Sequence, residues 1–362
     1  MARPAVADID LDSIRANFRL ATTLAPQGKA LAVVKADAYG HGAVRVARSL
    51  AGEAEAFAVA SIEEARTLRH AGLPHPVLLL EGFFEESELD EIAREGYWSA
   101  VHDTAQIDQI ARADLPRPIT VWLKVDTGMH RLGFSGAEAV AAYQRLSGLP
   151  QVERVVVMTH LANADQAVAD RVSVADQIER LPPALRAPGI ETSVANSAGL
   201  LDHDQARLDW QRPGIMLYGA SPLAVENDHS QQLQAAMTLK SKIIAMRWVE
   251  PGEQVGYGGR FVARDRRRIG TVAMGYADGY PRQAVEGTPV LVDGQRAPLV
   301  GRVSMDMLTV DLTDLPNARI DSEVELWGKR LSANEVAECC DTIAYHLFTG
   351  VTARVPRVYR GR

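Results

Sequence analysis

Cysteine is nearly missing from this chain of 362 residues: there are two, Cys339 and Cys340, side by side. Neighbours in sequence rarely bridge each other, and two thiols cannot complete a zinc site. Neither a disulfide framework nor a metal is therefore expected, and the pair reads as reduced thiols of a cytoplasmic protein. No apolar run approaches the length of a membrane span. Met1-Ala2-Arg3-Pro4 shows no apolar signal core, so export is not expected either. Positive charge is not in excess: 39 Lys and Arg face 46 Asp and Glu, a net charge of -7, which argues against nucleic acid as the main partner. What is present is ordinary for a globular chain, 47% hydrophobic and 23% charged, and leaves no room for large disorder. Two domains are the prior at this length.

The most informative stretch is Ala30-Leu31-Ala32-Val33-Val34-Lys35-Ala36-Asp37-Ala38-Tyr39-Gly40-His41-Gly42. An apolar run reads as a buried strand, and the Asp, Gly, His and Gly tail reads as a tight loop into a helix. A lysine at the end of such a strand is partly desolvated. Desolvation lowers an amine's pKa, and a neutral amine can attack an aldehyde. A lysine merely snorkelling to water is the plain alternative.

From there strands and helices alternate. Strands are expected at 30–35, 56–60, 77–80, 98–101, 119–125, 152–158, 192–195 and 211–218. Helices are expected at 43–50, 61–70, 85–94, 104–112, 135–146 and 166–181. Capping boxes are expected at Ser61 with Glu64 and at Ser135 with Glu138. A helix also precedes the series, capped at Asp12-Ser13 and running to Leu24. Eight such units predict a closed α/β barrel of eight parallel strands. A doubly wound sheet would want a full G-x-G-x-x-G after its first strand, and only Gly40 and Gly42 are there. Lys35, Arg131, His160, Asn196, Ser197 and Arg212 fall at or just past strand ends, on the rim where barrels carry their chemistry. After Pro222 the pattern changes to short β-type runs at 237–248, 268–274, 289–292, 296–300, 307–310 and 323–326, with one helix at 333–338. The expected division is a barrel domain over 1–232 and a mostly-β domain over 233–362.

The gap-free match of residues 32–42 to A-V-V-K-A-[DN]-A-Y-G-H-G resembles the pyridoxal phosphate (PLP) lysine segment of alanine racemases. Further motifs extend the resemblance over essentially the whole chain. Lys124-Val125-Asp126-Thr127-Gly128-Met129-His130-Arg131-Leu132-Gly133 is similar to K-x-D-T-G-M-x-R-L-G. Thr159-His160-Leu161-Ala162 is similar to T-H-x-A, and Arg212-Pro213-Gly214-Ile215 to R-P-G-[IV]. In the second half, Gly256-Tyr257-Gly258, Gly275-Tyr276-Ala277-Asp278-Gly279 and Gly301-Arg302-Val303-Ser304-Met305-Asp306 resemble further family segments.

The resemblance implies a PLP-dependent isomerase that racemises alanine with two bases, Lys35 and Tyr257, for D-alanine supply to the cell wall or for D-alanine breakdown. It implies cofactor contacts from Lys35, Tyr39, Arg131, His160, Asn196, Ser197, Arg212, Gly214 and Ile215. It implies substrate contacts from Arg131 and Met305, and an entrance formed by Asp165, Tyr276, Arg282 and Arg302. Lys124 becomes a candidate for carbamylation. The family resemblance also implies a homodimer in which each β domain completes the partner's site. Arg212 would face the ring nitrogen, where an arginine, unlike an acid, disfavours transamination. One departure is visible. Some members carry a phosphate-contacting tyrosine just before R-V-P-R, and here Ala353 precedes Arg354-Val355-Pro356-Arg357. A PLP-dependent decarboxylase and a non-catalytic PLP carrier are the competing readings. Arg212 counts against the first, and the β domain against the second.

Overall fold

The structure, a computed structural model, describes residues 3–166 and 169–361. Strand β1 (Val6–Asp10) alternates half-buried and buried positions, as a strand with one solvated face does. The next eight are short and almost entirely buried: β2 (Lys29–Val33), β3 (Ala56–Val59), β4 (Val77–Leu79), β5 (Trp98–Val101), β6 (Ile119–Lys124), β7 (Val152–Met158), β8 (Thr192–Ser193) and β9 (Trp210–Gln211). Parallel strands covered by helices must be apolar on both faces.

Each of these eight pairs in parallel with its successor from β2 to β8, and β2 also pairs in parallel with β9. The ring closes where the Arg212 N–H donates to the Ala195 carbonyl at 3.1 Å and the Ser193 hydroxyl to the Trp210 carbonyl at 2.8 Å. The barrel of eight parallel strands is thus as expected. Trp98, Trp122 and Trp210 fill its interior ring against ring, with centroids 5.4 to 5.9 Å apart.

Several local expectations need correction. The strand expected over 211–218 stops at Gln211, because Pro213 has no N–H for a ladder, and a 3-10 turn over Ile215–Tyr218 follows. The helix expected over 166–181 spans only Val174–Glu179, where Ser173 and Asp176 form a capping box; residues 167 and 168 of that expectation lie outside the described residues. The first helix, Leu11–Leu24, is capped by Asp10, not by Asp12-Ser13. The Ser135–Glu138 capping box is present. At the other expected box Ser61 makes no capping bond, and Glu64 is used elsewhere.

The rest of the chain forms β10 (Met237–Val249), β11 (Gln254–Val255), β12 (Phe261–Val262), β13 (Arg267–Val272), β14 (Pro289–Val292), β15 (Gln295–Val300), β16 (Leu308–Asp311), β17 (Glu323–Trp327) and β18 (Arg357–Arg360). Two helices, Ala333–Glu338 and Ala344–Gly350, lie between the last two strands, and the second has no counterpart in the sequence reading. The long β10 bends at an irregularity between Ile243 and Ala245 and so pairs with β17, β13 and β1 at different points of its length. Strand β1 does not join the barrel. It runs antiparallel to β10 and parallel to β18, with Ala7 opposite Arg357, so the two ends of the chain are neighbouring strands.

Candidate active site

Strand β2 delivers the chain to the barrel rim, where it turns in an uncommon way. Ala36, Asp37, Ala38 and Tyr39 follow Lys35 with φ of 52°, 52°, 54° and 51°. Four non-glycine residues in succession thus make one left-handed helical turn, at a cost of ~1–2 kcal/mol per residue. Such a turn persists only where its surroundings over-determine it. Glu64 accepts from the Ala36 N–H at 2.6 Å and from the Ala60 N–H at 2.8 Å, and the Asp37 carboxylate accepts from the Ala43 N–H at 2.7 Å. Burial pushes the His41 imidazole down to about 4, so its neutral ring donates from Nδ1 to the Tyr39 carbonyl at 2.8 Å. The Arg357 guanidinium donates to the Gly40 carbonyl at 3.1 Å. Gly40 lies so close to the helix Ala344–Gly350 that a Cβ there would stand 2.2 Å from the Phe348 carbonyl oxygen.

This turn forms one wall of a cavity of about 800 Å³. Ten of the sequence-singled residues line it: Lys35, Tyr39, Lys124, Arg131, His160, Asn196, Ser197, Arg212, Gly214 and Ile215. They come from strand ends or the loops just past them, as barrel enzymes arrange their chemistry.

Four cations in one cavity set its electrostatics. Desolvation is the main force lowering the Lys35 pKa; the Arg131 charge lowers it further, while Glu81 and Glu64 oppose. Lys124 ends β6 inside the barrel mouth, and burial together with Arg212 and Arg131 brings it down to about 8. Arg212 is fully desolvated and falls to about 10, so it keeps its proton near neutral pH. It is held by the Ser193 hydroxyl and by the Thr159 carbonyl at 2.5 Å. Burial, then the Arg212 charge, holds His160 well below its usual range, which keeps that ring neutral.

At the cavity's other side the Ser197 hydroxyl accepts from the Gly214 N–H at 2.9 Å. A Cβ on Gly214 would lie 2.6 Å from the Tyr39 hydroxyl, so only glycine leaves that cradle open. Asn196 already spends its side-chain oxygen capping Gly199 at 2.9 Å. Hydroxyls, backbone amides and nearby cations are the donor set that a phosphate ester takes, and a desolvated amine in the same cavity is what an aldehyde takes. The residues present therefore fit PLP.

Other lining residues escaped the sequence reading: Glu81, Met158, Tyr345, His346 and Thr349. Tyr345 is the most informative of them. Its ring centroid lies 5.9 Å from that of Tyr39, whereas Ala353 is exposed and does not line the cavity. The signal that could have found it was an amphipathic helix between β17 and β18.

The remaining candidates lie elsewhere. Tyr257 is 73% exposed and Met305 52% exposed, on the β domain. Tyr276 and Arg302 accompany them: the Tyr276 N–H donates to the Ser304 carbonyl at 3.0 Å, and Gly256 abuts the Arg302 backbone. Asp165 lines a separate cavity of about 460 Å³, and Arg282 is exposed. One chain therefore presents a cationic cavity and, apart from it, an exposed tyrosine–methionine patch.

Comparison with known proteins matches residues 9–222 to the family model described as alanine racemase, N-terminal domain, and residues 236–359 to alanine racemase, C-terminal domain. An alanine racemase of Pseudomonas taetrolens is 54% identical over 359 residues, 99% of each chain. The crystal structure of a biosynthetic alanine racemase from Pseudomonas aeruginosa superposes with a TM-score of 0.95 at 48% identity, covering 99% of this chain and 100% of that one. An alanine racemase from Bartonella henselae with covalently bound pyridoxal phosphate superposes with a TM-score of 0.88 at 30% identity, covering 99% of each chain.

Proposed function

This chain belongs to the alanine racemase family, and from that premise we propose how its residues carry the reaction. It is an isomerase that interconverts L- and D-alanine. The match over 236–359 removes the barrel-only carrier reading, and the family match removes the decarboxylase.

In the proposed reading Lys35 binds PLP covalently. The observation that carries it is the desolvated Lys35 amine, held at the barrel rim by a left-handed turn, in one cavity with Lys124, Arg131 and Arg212. PLP, when bound, supplies the electron-accepting ring that makes the α-proton of an amino acid acidic. Tyr39, Ser197, Gly214 and Ile215 are the residues for its phosphate, and Tyr345 contributes the hydroxyl that Ala353 lacks. Arg212 is the residue for the ring nitrogen. Holding its own proton, it offers that nitrogen none, which limits charge delocalisation into the ring and disfavours transamination. His160 stays neutral beside the ring. Arg131 and the Met305 N–H hold the substrate carboxylate; a guanidinium suits it by offering paired donors in one plane.

Lys35 moves the α-proton on the D-alanine face, and Tyr257 of the partner subunit moves it on the L-alanine face. Supporting a shared site is the exposure of Tyr257 and Met305 on each single chain. The dimer divides its labour near residue 232, with Tyr276, Arg282, Arg302 and Asp165 towards the entrance. Lys124 suits carbamylation, since an amine brought down to about 8 is partly neutral, and the product would be an anion beside two arginines. Free Cys339 and Cys340 suit a reducing cytoplasm.

Circular dichroism of L-alanine solutions with purified protein and PLP should decay to zero. Borohydride should fix the cofactor on Lys35 and not on Lys124 or Lys29; a label on either of the latter, or dichroism that persists, would overturn the reading.

A further inference from the structure

We propose that Arg3 is a positioning residue for the partner subunit's active site, tying the Met305 loop in place. This rests on the shared-site reading above.

Asp278 is completely buried in the turn Tyr276–Asp278, a costly place for a carboxylate without partners. Its principal partner comes from the far end of the chain. The Arg3 guanidinium takes both of its oxygens, one at 2.7 Å. The same guanidinium donates to the Asp306 carbonyl at 2.7 Å and reaches the Ala273 carbonyl at 3.4 Å. One planar fork thereby bridges the end of β13, the 275–279 turn and the 304–306 loop. The two loops are also laced directly: Tyr276 N–H to Ser304 carbonyl at 3.0 Å, and Ala277 N–H to Met305 carbonyl at 2.9 Å. Gly275 approaches so closely that a Cβ there would stand 2.3 Å from the Met305 oxygen. Arg354 adds a bond to the Asp306 carboxylate at 2.7 Å and lies 3.6 Å from Asp278.

Met305 is half exposed, so packing does not fix the loop. Hydrogen bonds do, and Arg3 is the group that joins the buried carboxylate to that loop's backbone. Losing it leaves Asp278 with the Gly275 N–H at 2.9 Å and the more distant Arg354, and frees the Asp306 carbonyl. The position of the Met305 N–H then loosens. Lys35 and Tyr257 are untouched, so the loss should fall on KM for alanine and not on kcat.

Heterodimers purified with two affinity tags and loaded with PLP test this. In the first, Lys35→Ala and Arg3→Ala share a chain, so the working barrel is wild type and is served by the altered loop. KM for alanine should rise roughly tenfold, the size of one lost hydrogen bond to a charged group, with kcat little changed. In the second, Arg3→Ala is on the chain that keeps Lys35 and the partner carries Lys35→Ala. The working site then has an intact loop, and KM should equal that of wild type. Cofactor absorbance should be the same in both. Equal KM values in the two heterodimers, whether normal or raised, would overturn the proposal. The opposite asymmetry would show sites built within one chain, and so would sink the shared-site reading instead. Arg3→Lys, which keeps a charge beside Asp278 but lacks the fork, should give the same asymmetry in weaker form. It serves where Arg3→Ala does not assemble, and its failure to show any asymmetry would equally overturn the proposal.

Discussion

Lys124 sits 9% exposed in the barrel mouth, where burial first, then the Arg212 and Arg131 charges, act against its own charge. Its amine comes down to about 8, whereas the unfolded chain holds that proton to about 10.5. Below pH 8 both states are protonated, and the folded state bears the full cost of the buried charge. Between these values the unfolded chain binds more protons, so raising the pH favours folding. Cofactor-free protein should gain stability from about pH 8 to 10.5, by at most ~3 kcal/mol from this group. Lys35, also lowered, acts with the same sign. In Lys124→Met the Lys124 part of the gain should vanish, which denaturant titrations across the window would reveal. Tyr257 supports a different expectation at the same scale. Tyr257→Phe keeps Lys35, so in heavy water deuterium should enter D-alanine faster than L-alanine. Racemisation should fall by ~10²–10⁴ in both directions, as loss of a general base does. Equal exchange from both enantiomers, read by proton NMR, would remove Tyr257 from the proton-transfer step.

The left-handed turn after Lys35 is an element held by its neighbours and not by its own residues. Glu64 is its key tie, with one carboxylate oxygen on the Ala36 N–H and the other on the Ala60 N–H. Glu64→Ala should cost ~1–3 kcal/mol in unfolding free energy. It should also weaken PLP retention, measured as absorbance surviving dialysis; unchanged retention would show that the turn holds without Glu64. This element marks where the sequence stopped being legible. That the apolar run before Lys35 forms a buried strand was readable, because such a run bounded by Asp, Gly and His has few other uses; the strand ends at Val33, two residues short of the 30–35 expected. The hand of the turn was not, because in Ala36-Asp37-Ala38-Tyr39 only Asp37 is of a type that tolerates positive φ, and then as a single residue; tertiary contacts impose it. Glu64 looked like half of a capping box for the same reason: spacing reveals local partners and hides distant ones. Tyr345 was hidden because its role depends on where a C-terminal helix packs, not on a motif.

On the scale of the molecule, eight β/α units read as a barrel because each unit is local, and the barrel is there. The fate of β1 was not readable. Its partners are more than two hundred residues away, and no periodicity records them. Yet that pairing closes the fold: β18 lies against β1, and from β18 Arg357 reaches the Gly40 carbonyl beneath the lysine turn. In the cell a polypeptide emerges from the ribosome N-terminus first. The lysine leaves the exit tunnel early, while the strand and the arginine that steady its turn follow more than three hundred residues later. A stalled nascent chain lacking residues 351–361 should therefore display Lys35 without retaining PLP, and cofactor fluorescence on such ribosome complexes should stay at background. Colour on these truncated chains would show that the pocket matures during translation.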